Sequence, residues 1–162
     1  MRYYTKISSP IDELLLVSNG DALTGLYMDT SNIDPNRRPD WRRNDKMFSD
    51  VKKQLRAYFA KELTEFDLPL QLEGTEFQRK AWQALLKIPY GKTVSYQDQA
   101  NKINAPKAVR AIGLANGKNP IAIIVPCHRV IGSNGKLTGY GGGLPRKQWL
   151  LELEAAQTAL FA

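Results

Sequence analysis

The sequence predicts an α+β fold: a small N-terminal antiparallel β-sheet domain with one helix, followed by a helical C-terminal domain that contains a helix-turn-helix. The 162 residues suffice for one domain or two small ones. Short β-type runs with an Asn-Gly hairpin signal occupy the first part of the chain. Apolar residues at helical spacing follow residue 74. We therefore expect domains at 1–73 and 74–162.

The N-terminal domain is expected to contain three strands and one helix. Asn19-Gly20 predicts a hairpin between the second and third strands. Residues 29–45 hold two prolines, four arginines and no periodicity, which predicts a loop. Asp45 is expected to cap a helix, because apolar residues recur at helical spacing after it. The strand candidates are 3–7, 14–18 and 22–27.

The C-terminal domain is expected to be mainly helical. The segment 75–78, Thr-Glu-Phe-Gln, fits a capping box that opens a helix ending before Pro89. Ser95 is expected to cap a short helix, and Pro106 suits the first turn of the next one, which ends near Gly117. Two short helices so joined predict a helix-turn-helix, although helical hairpins also occur in proteins that never contact DNA.

The charge of the chain is unevenly distributed. The net charge is +7, but residues 1–73 carry 11 basic and 12 acidic side chains, whereas residues 74–162 carry 12 and 4. A basic C-terminal half favours a polyanionic partner, nucleic acid first and an anionic membrane second. A solvated basic surface without a partner is the alternative.

The chain contains one cysteine and one histidine, which excludes several kinds of protein. An intramolecular disulfide is impossible, and a zinc site with three or four sulfur or nitrogen ligands is not expected. The longest apolar run, 121–125, is far shorter than the roughly 20 residues of a membrane span. We expect a cytoplasmic monomer that uses no metal, no cofactor and no membrane.

The second helix of the helix-turn-helix is expected to have a small, basic face. Small residues at helical spacing let a groove or a backbone come close, and cations at the same side suit phosphates. An alanine-rich surface helix with solvated lysines is the alternative. The residues concerned are Ala108, Ala111 and Ala115, with Lys107, Arg110 and Lys118.

The cysteine and the histidine are neighbours in the chain. Cys127 and His128 follow an apolar run and Pro126, and a cysteine beside a histidine is a candidate nucleophile and base. An inert, buried cysteine is the commoner alternative. Because neighbours in a strand point to opposite faces, contact between the two requires a turn here or a bridging water.

Several motifs in residues 74–162 resemble those of one family. Pro126-Cys127-His128-Arg129-Val130 looks like the active-site pentapeptide of the O6-alkylguanine-DNA alkyltransferases. The order and spacing of four other segments are also similar to that family: 74–82, 88–96, 110–113 and 139–144. Residues 1–73 resemble the variable sheet domain of the family only loosely.

The resemblance implies a reaction and its chemical groups. Cys127 would accept the alkyl group from guanine O6 as a thioether and would be consumed, so that each molecule acts once. His128 would take the thiol proton through a water, and Glu154 would orient the imidazole. Asn119 would tie down the turn that carries Cys127. Glu152 is the neighbouring carboxylate, but the family spacing falls on Glu154.

The resemblance also implies the base pocket. Tyr96 would hydrogen-bond or protonate the guanine ring N3, and the carbonyls of Cys127 and Val130 would accept from the exocyclic amine. Some relatives carry Met, Pro and Ser where this chain has Asn116, Ala122 and Gly141, so tolerance of bulky alkyl groups or O4-alkylthymine is expected to differ. The expected pocket residues are Tyr140, Gly141, Val130, Val125 and Asn116.

The implied partner is double-stranded DNA that contains O6-alkylguanine. A stacked base cannot present its alkyl carbon to a sulfur atom, so the nucleotide must be flipped out. Arg110 would enter the stack in its place, and the second helix would lie in the minor groove. Lys107 and Lys118 would hold phosphates, and we assign Ser95 and the alanines of this helix to the same interface.

Two other functions are compatible with parts of the sequence. A non-enzymatic module that binds alkylated DNA would share the fold, but such relatives lack the acceptor cysteine, which this chain has. A cysteine hydrolase would use Cys127 and His128. This function would leave the basic helix unexplained, and the sequence shows no oxyanion-hole signature.

Overall fold

A computed structural model describes residues 1–28 and 33–161, with side chains described up to residue 155. The chain forms two compact units. The first contains residues 1–72 together with 120–122, and the second contains residues 73–119 and 123–162. The return of 120–122 to the first unit is a feature that the sequence did not predict.

The described residues of the first unit form a four-stranded sheet in the order β3-β2-β1-β4. The Asn-Gly hairpin joins β2 to β3, and both pairings within β1 to β3 are antiparallel. Residues 120–122 extend the unit, because Leu26 donates to the carbonyl of Pro120 at 2.8 Å and pairs with Ile121 in a parallel bridge. The strands are β1 (Arg2–Ile7), β2 (Leu14–Ser18), β3 (Leu23–Tyr27) and β4 (Trp41–Arg43).

The strand β4 corrects two expectations. The sheet is mixed rather than antiparallel, because β4 runs parallel to β1. The segment predicted as a loop therefore contains a strand, besides a 3-10 turn at Pro35–Arg37, while its residues 29–32 lie outside the described part. Trp41 packs against Tyr4 with ring centroids 6.3 Å apart. One half-buried aromatic leaves no alternating pattern for sequence analysis to detect.

Helix α1 (Ser49–Phe59) buries Val51, Leu55 and Tyr58, as the apolar spacing predicts. Asp45 does not cap it, contrary to expectation: a 3-10 turn, Lys46–Phe48, comes first, and no side-chain cap bond forms. The Asp45 carboxylate instead accepts from the buried Thr5 hydroxyl at 2.6 Å and from Arg43 at 3.0 Å. Aspartate thus anchors the chain to β1 rather than starting the helix.

The described residues of the second unit form four α-helices and a short parallel pair of strands. The predicted capping box at Thr75 and Gln78 is present, with bonds of 3.1 and 3.0 Å. Ser95 caps the next helix as predicted, in a second capping box with Asp98. The elements are α2 (Glu76–Leu85), β5 (Val94–Ser95), α3 (Tyr96–Lys102), α4 (Val109–Gly117), β6 (Val130–Ile131) and α5 (Leu144–Phe161).

Helices α3 and α4 form the helix-turn-helix, with two differences from the sequence prediction. Pro106 lies in a turn before α4, which begins only at Val109. Ala115 is buried in a core with Ala81, Ala100 and Ile112, and its carbonyl accepts from the Trp82 indole at 2.9 Å. Small apolar residues satisfy a tight helix crossing as well as a groove, so sequence alone did not separate Ala115 from Ala111.

Candidate active site

The cysteine and the histidine lie in a tight turn. Cys127–Arg129 forms a single 3-10 turn after Pro126, closed by a bond from the Arg129 amide to the Pro126 carbonyl at 3.0 Å. This is the turn that a Cys-His contact required. Upstream, Ile123 has a φ of 71°, a left-handed conformation that a β-branched residue rarely adopts. Cys127 is 7% exposed and His128 is fully buried.

His128 is held by a buried carboxylate. Its Nε2 lies 2.7 Å from Oε2 of Glu154 on α5, and both side chains are buried. Burial alone would raise the pKa of Glu154, but hydrogen bonds and charge from His128 and Arg129 outweigh it and lower that pKa to about 2. An ionised carboxylate can only accept, so Nε2 must carry the hydrogen.

The other ring nitrogen of His128 is therefore the basic one. With the hydrogen on Nε2, Nδ1 keeps a lone pair, and it has no hydrogen-bond partner among the described residues. Burial lowers the pKa of His128, although the hydrogen bond and charge of Glu154 oppose this shift. A neutral imidazole whose lone pair is not engaged by another described group is the form that a general base requires.

Arg129 is a functional residue that sequence analysis missed, except as a letter of the pentapeptide. Its guanidinium donates to both carboxylate oxygens of Glu154, at 2.8 and 3.1 Å, and to the Ile88 carbonyl at 2.7 Å. It also lies 5.6 Å from the ring centroid of Tyr90. Because the bidentate contact fixes the carboxylate, Glu154 presents one oxygen to His128 in a single orientation.

Cys127 rests as a thiol. Burial raises its pKa, while a hydrogen bond with Asn119 and the charge of Lys147 act in the opposite direction. Asn119 also donates from its side chain to the Val125 carbonyl at 2.7 Å, which places it under the turn as the sequence predicts. A protonated thiol is a poor nucleophile, so a base must remove the proton at the time of reaction.

A cavity of about 520 Å³ opens at Cys127. Tyr96 lines it, together with Asn116, Tyr140 and Gly141, which are three of the five expected pocket residues. The side chains of Val125 and Val130 are completely buried and do not belong to its lining, although both residues were assigned to the pocket. The exposure of 0% includes the backbone of both residues, so neither one is open to a ligand in this conformation.

The polar group of Asn116 is already engaged. Its side-chain amide exchanges two hydrogen bonds with that of Gln99, at 2.8 and 2.9 Å, and both residues are buried. Gln99 also donates to the Ala81 carbonyl at 3.1 Å. Gln99 is a second residue that the sequence did not mark, because a polar residue on a short helix usually faces solvent.

One side of α4 is exposed and basic. Lys107, Arg110 and Lys118 are exposed with Ala111, and Ala108 is half-buried. Leu114 on the same helix is 65% exposed, an unusually open position for a leucine, and sequence analysis did not single it out. Ser95 is half-buried at the start of α3. Of the residues expected to bind DNA, Ala115 faces the core instead.

The described residues contain no cluster of metal-ligating side chains. No helix formed by these residues is long and apolar enough to cross a membrane.

Fold and site together define a class: a two-unit α+β protein whose helix-turn-helix unit holds a buried Cys-His-Glu arrangement beside a cavity. Residues 76–156 match the DNA binding domain of 6-O-methylguanine DNA methyltransferase, and residues 2–72 match its ribonuclease-like domain. The chain belongs to the 6-O-methylguanine DNA methyltransferase family, which confirms the resemblance seen in the sequence motifs.

Individual relatives match along almost the whole chain. The methylated-DNA–protein-cysteine methyltransferase of Mycobacterium bovis is 57% identical over 157 residues, covering 97% of this chain and 94% of that protein. The protein of that name from Methanosarcina barkeri is 51% identical over 152 residues, covering 94% and 96%.

Solved structures agree with this assignment. The crystal structure of Mycobacterium tuberculosis O6-methylguanine methyltransferase is similar with a TM-score of 0.90 and 54% identity, over 100% of both chains. The structure of Mycobacterium tuberculosis OGT in complex with DNA is similar with a TM-score of 0.88 and 54% identity, over 99% of both. These likenesses extend over both units.

Proposed function

We propose that this protein repairs DNA directly, by moving an alkyl group from O6-alkylguanine to its own Cys127. The observation that carries the proposal is the cavity at Cys127, together with the buried pair of Glu154 and His128, the residue next to Cys127 in the chain, whose Nδ1 is basic. The relatives named above are methyltransferases that act from methylated DNA to a protein cysteine. This chain has the one cysteine that such chemistry needs.

The reaction is a displacement at the alkyl carbon. A bond forms between Sγ of Cys127 and that carbon, and the bond from the carbon to guanine O6 breaks. The thiol proton passes through a water to Nδ1 of His128, whose imidazolium is stabilised by the ionised Glu154. The departing guanine takes up one proton, the group that donates it regains a proton from solvent, and the His128 imidazolium returns the thiol proton to solvent, so that the net products are neutral guanine and a thioether.

Tyr96 completes the proton balance. It lines the cavity, and its hydroxyl is the group that donates a proton or hydrogen bond to guanine N3 as negative charge develops on the base. The backbone carbonyls of Cys127 and Val130 accept from the exocyclic amine, and Val130, which is 0% exposed, becomes accessible when the base enters. Tyr140 and Gly141 form the opposite wall.

The exposed side of α4 binds the DNA. Lys107 and Lys118 neutralise phosphates, while Ala108 and Ala111 allow the helix to approach the minor groove. Arg110 enters the stack and replaces the flipped nucleotide. Ser95, at the start of α3, contributes to the same interface.

The protein acts once per molecule. A thioether is not cleaved by any base available in the site, so Cys127 is consumed and the reaction is stoichiometric and irreversible. It acts as a cytoplasmic monomer and requires no cofactor or metal. O4-alkylthymine is a second substrate to be tested beside O6-alkylguanine, because the cavity of about 520 Å³ has glycine at position 141.

The test is to incubate the protein with duplex DNA that carries O6-methylguanine and to measure the protein mass. We expect a gain of one methyl group on the peptide that contains Cys127. The gain should disappear in Cys127→Ser, a substitution that changes one atom. An unmodified wild-type protein that still binds the DNA would instead support the non-enzymatic binding module.

A further inference from the structure

A buried lysine stands beside the site without a role in the chemistry above. Lys147 on α5 has a relative exposure of 0%, and it is one of the largest fully buried side chains. Lysines are almost never fully buried unless they are paired, because removal of an ammonium from water is costly. Its contacts therefore indicate what this charge stabilises.

Lys147 binds the loop that forms one wall of the cavity. Its Nζ donates to the Thr138 carbonyl at 2.8 Å and lies 3.4 Å from the Gly139 carbonyl. The ammonium is also 5.9 Å from the ring centroid of Tyr96. Burial lowers the pKa of Lys147, and its charge interacts with Cys127. One side chain thus contacts the loop and the tyrosine, and its charge acts on the cysteine.

The same carbonyl also receives the Tyr96 hydroxyl. Tyr96 donates to the Thr138 carbonyl at 3.1 Å, and the Thr138 hydroxyl donates back to the Tyr96 oxygen at 3.1 Å. In this geometry the Tyr96 proton is directed at the protein backbone rather than into the cavity. For Tyr96 to donate to a base, its hydrogen must leave the Thr138 carbonyl.

The Thr138 carbonyl accepts from two donors, Lys147 and Tyr96. Thr138 is an exposed residue, so water can replace the Tyr96 hydroxyl at this carbonyl, while the buried Lys147 keeps the loop in place after Tyr96 turns away. We propose that Lys147 is a positioning residue that holds the loop at 138–139 and so frees the Tyr96 hydroxyl for the substrate base. This role rests on the proposed function, since it concerns the same reaction.

A purely structural lysine makes a different prediction. If Lys147 only fills and ties the core, its removal slows alkyl transfer by the same factor whether or not Tyr96 has a hydroxyl. If it acts through Tyr96, its removal has little effect once that hydroxyl is gone. A double-mutant cycle separates the two cases.

The experiment measures single-turnover alkyl transfer to Cys127 from duplex O6-methylguanine in wild type, Lys147→Met, Tyr96→Phe and the double variant. We expect Lys147→Met to slow transfer about tenfold or more in the wild-type background. In the Tyr96→Phe background the same change should cost less than about twofold. Lys147→Arg, which keeps a charged donor, should recover part of the rate. Lys53→Met is the matched control, because Lys53 is exposed in the first unit.

Two results overturn the inference: a wild-type rate in Lys147→Met, or an equal slowing by Lys147→Met in both backgrounds. If Lys147→Met does not fold, Lys147→Gln takes its place in the cycle with the same two criteria. A wild-type protein that transfers no alkyl group fails the proposed function itself.

In that event the positioning role is judged on hydrogen exchange of the amides of 138–141. Exchange there should be about tenfold faster in Lys147→Met than in wild type, with helix α2 unchanged. Equal exchange in the two proteins would overturn the role independently of activity.

Discussion

The two units of the protein bury different kinds of side chain. In the described part of the first unit, the buried polar residues are hydroxyl-bearing ones, Thr5, Ser18 and Thr24. The second unit buries a histidine, an arginine, a lysine and a glutamate, besides the amides of Gln99 and Asn116. Buried charge is stabilising only with complete pairing. The difference shows that the second unit retains ionisable groups for chemistry, while the first is built for packing.

The largest expected effect is that of removing the charge at the centre of the second unit. Glu154→Gln leaves Arg129 without its anion and His128 without its stabilising carboxylate. We expect alkyl transfer to slow about 100-fold or more and the free energy of unfolding to fall by about 3 kcal/mol. Single-turnover kinetics and urea denaturation measure the two effects.

The control for this prediction is Glu152→Gln. Glu152 is the neighbouring carboxylate, but it is exposed, and its side chain accepts from Gln148 at 3.0 Å. It should change neither the rate nor the stability appreciably. Equal rates in Glu154→Gln and Glu152→Gln would break the contrast between the units.

The second prediction concerns the first unit. Leu55 on α1 is fully buried, so Leu55→Ala should lower the free energy of unfolding by about 2–5 kcal/mol. The transfer rate of each folded molecule should stay at the wild-type value, because Leu55 is not part of the site. Urea denaturation and a rate normalised to active Cys127 are the measurements, and Leu86→Ala at an exposed position is the control. A reduced normalised rate would show that the first unit also shapes the chemistry.

The third prediction separates DNA entry from bond-making. Arg110→Ala should slow transfer from duplex DNA by about tenfold or more, because the arginine no longer offsets the cost of unstacking. Transfer from a free O6-alkylguanine base should stay near the wild-type rate. Arg79→Ala, at an exposed arginine on α2, is the matched control. Equal slowing with both substrates would contradict the role of Arg110 in the stack.

The smallest expected effect is a pH dependence that distinguishes the two buried titrating groups. Because the pKa of His128 is lowered by burial, the unfolded chain binds a proton below about pH 6.5 that the native protein resists. Stability from His128 is therefore complete above that pH and falls as the solution is acidified. The pKa of Glu154, about 2 in the folded protein, adds a second loss below about pH 4.3.

Urea denaturation at a series of pH values measures this dependence. Between about pH 6.5 and 5, the free energy of unfolding should change less steeply with pH in His128→Gln than in the wild type. If the free energy of unfolding depends on pH in His128→Gln as it does in the wild type, the effect comes from other groups. The transfer rate should fall only at a lower pH, as the solution passes the lowered pKa of folded His128, because a protonated His128 cannot act as a base.

Local signals in the sequence predicted the α+β fold and much of its second unit. Capping boxes are readable because their partners lie three residues apart, as Thr75 and Gln78 do. The neighbouring Cys127 and His128 were visible for the same reason. The parallel strand at Trp41–Arg43 was not, since its pairing with β1 depends on residues about 40 positions away and leaves no periodic pattern.

Long-range pairing also explains what was missed in the site. Arg129 and Lys147 look like ordinary surface cations in a sequence, and only their contacts with Glu154 and with the Thr138 carbonyl make them buried residues. Ala115 was assigned to the wrong side of α4 because a helical period of small residues does not indicate which side faces the core. The roles assigned to Tyr96, Arg110 and Asn119 stay predictions.

The reciprocal bonds between Gln99 and Asn116 constrain how this cavity can evolve. Replacing either residue alone by an apolar one would deprive the buried amide of the other of these bonds, and would lower the free energy of unfolding by about 1–3 kcal/mol. Both changed together would leave no such group unsatisfied. A lineage that acquires an apolar wall at position 116 is therefore expected to substitute position 99 as well, and the two positions should covary among descendants of this sequence.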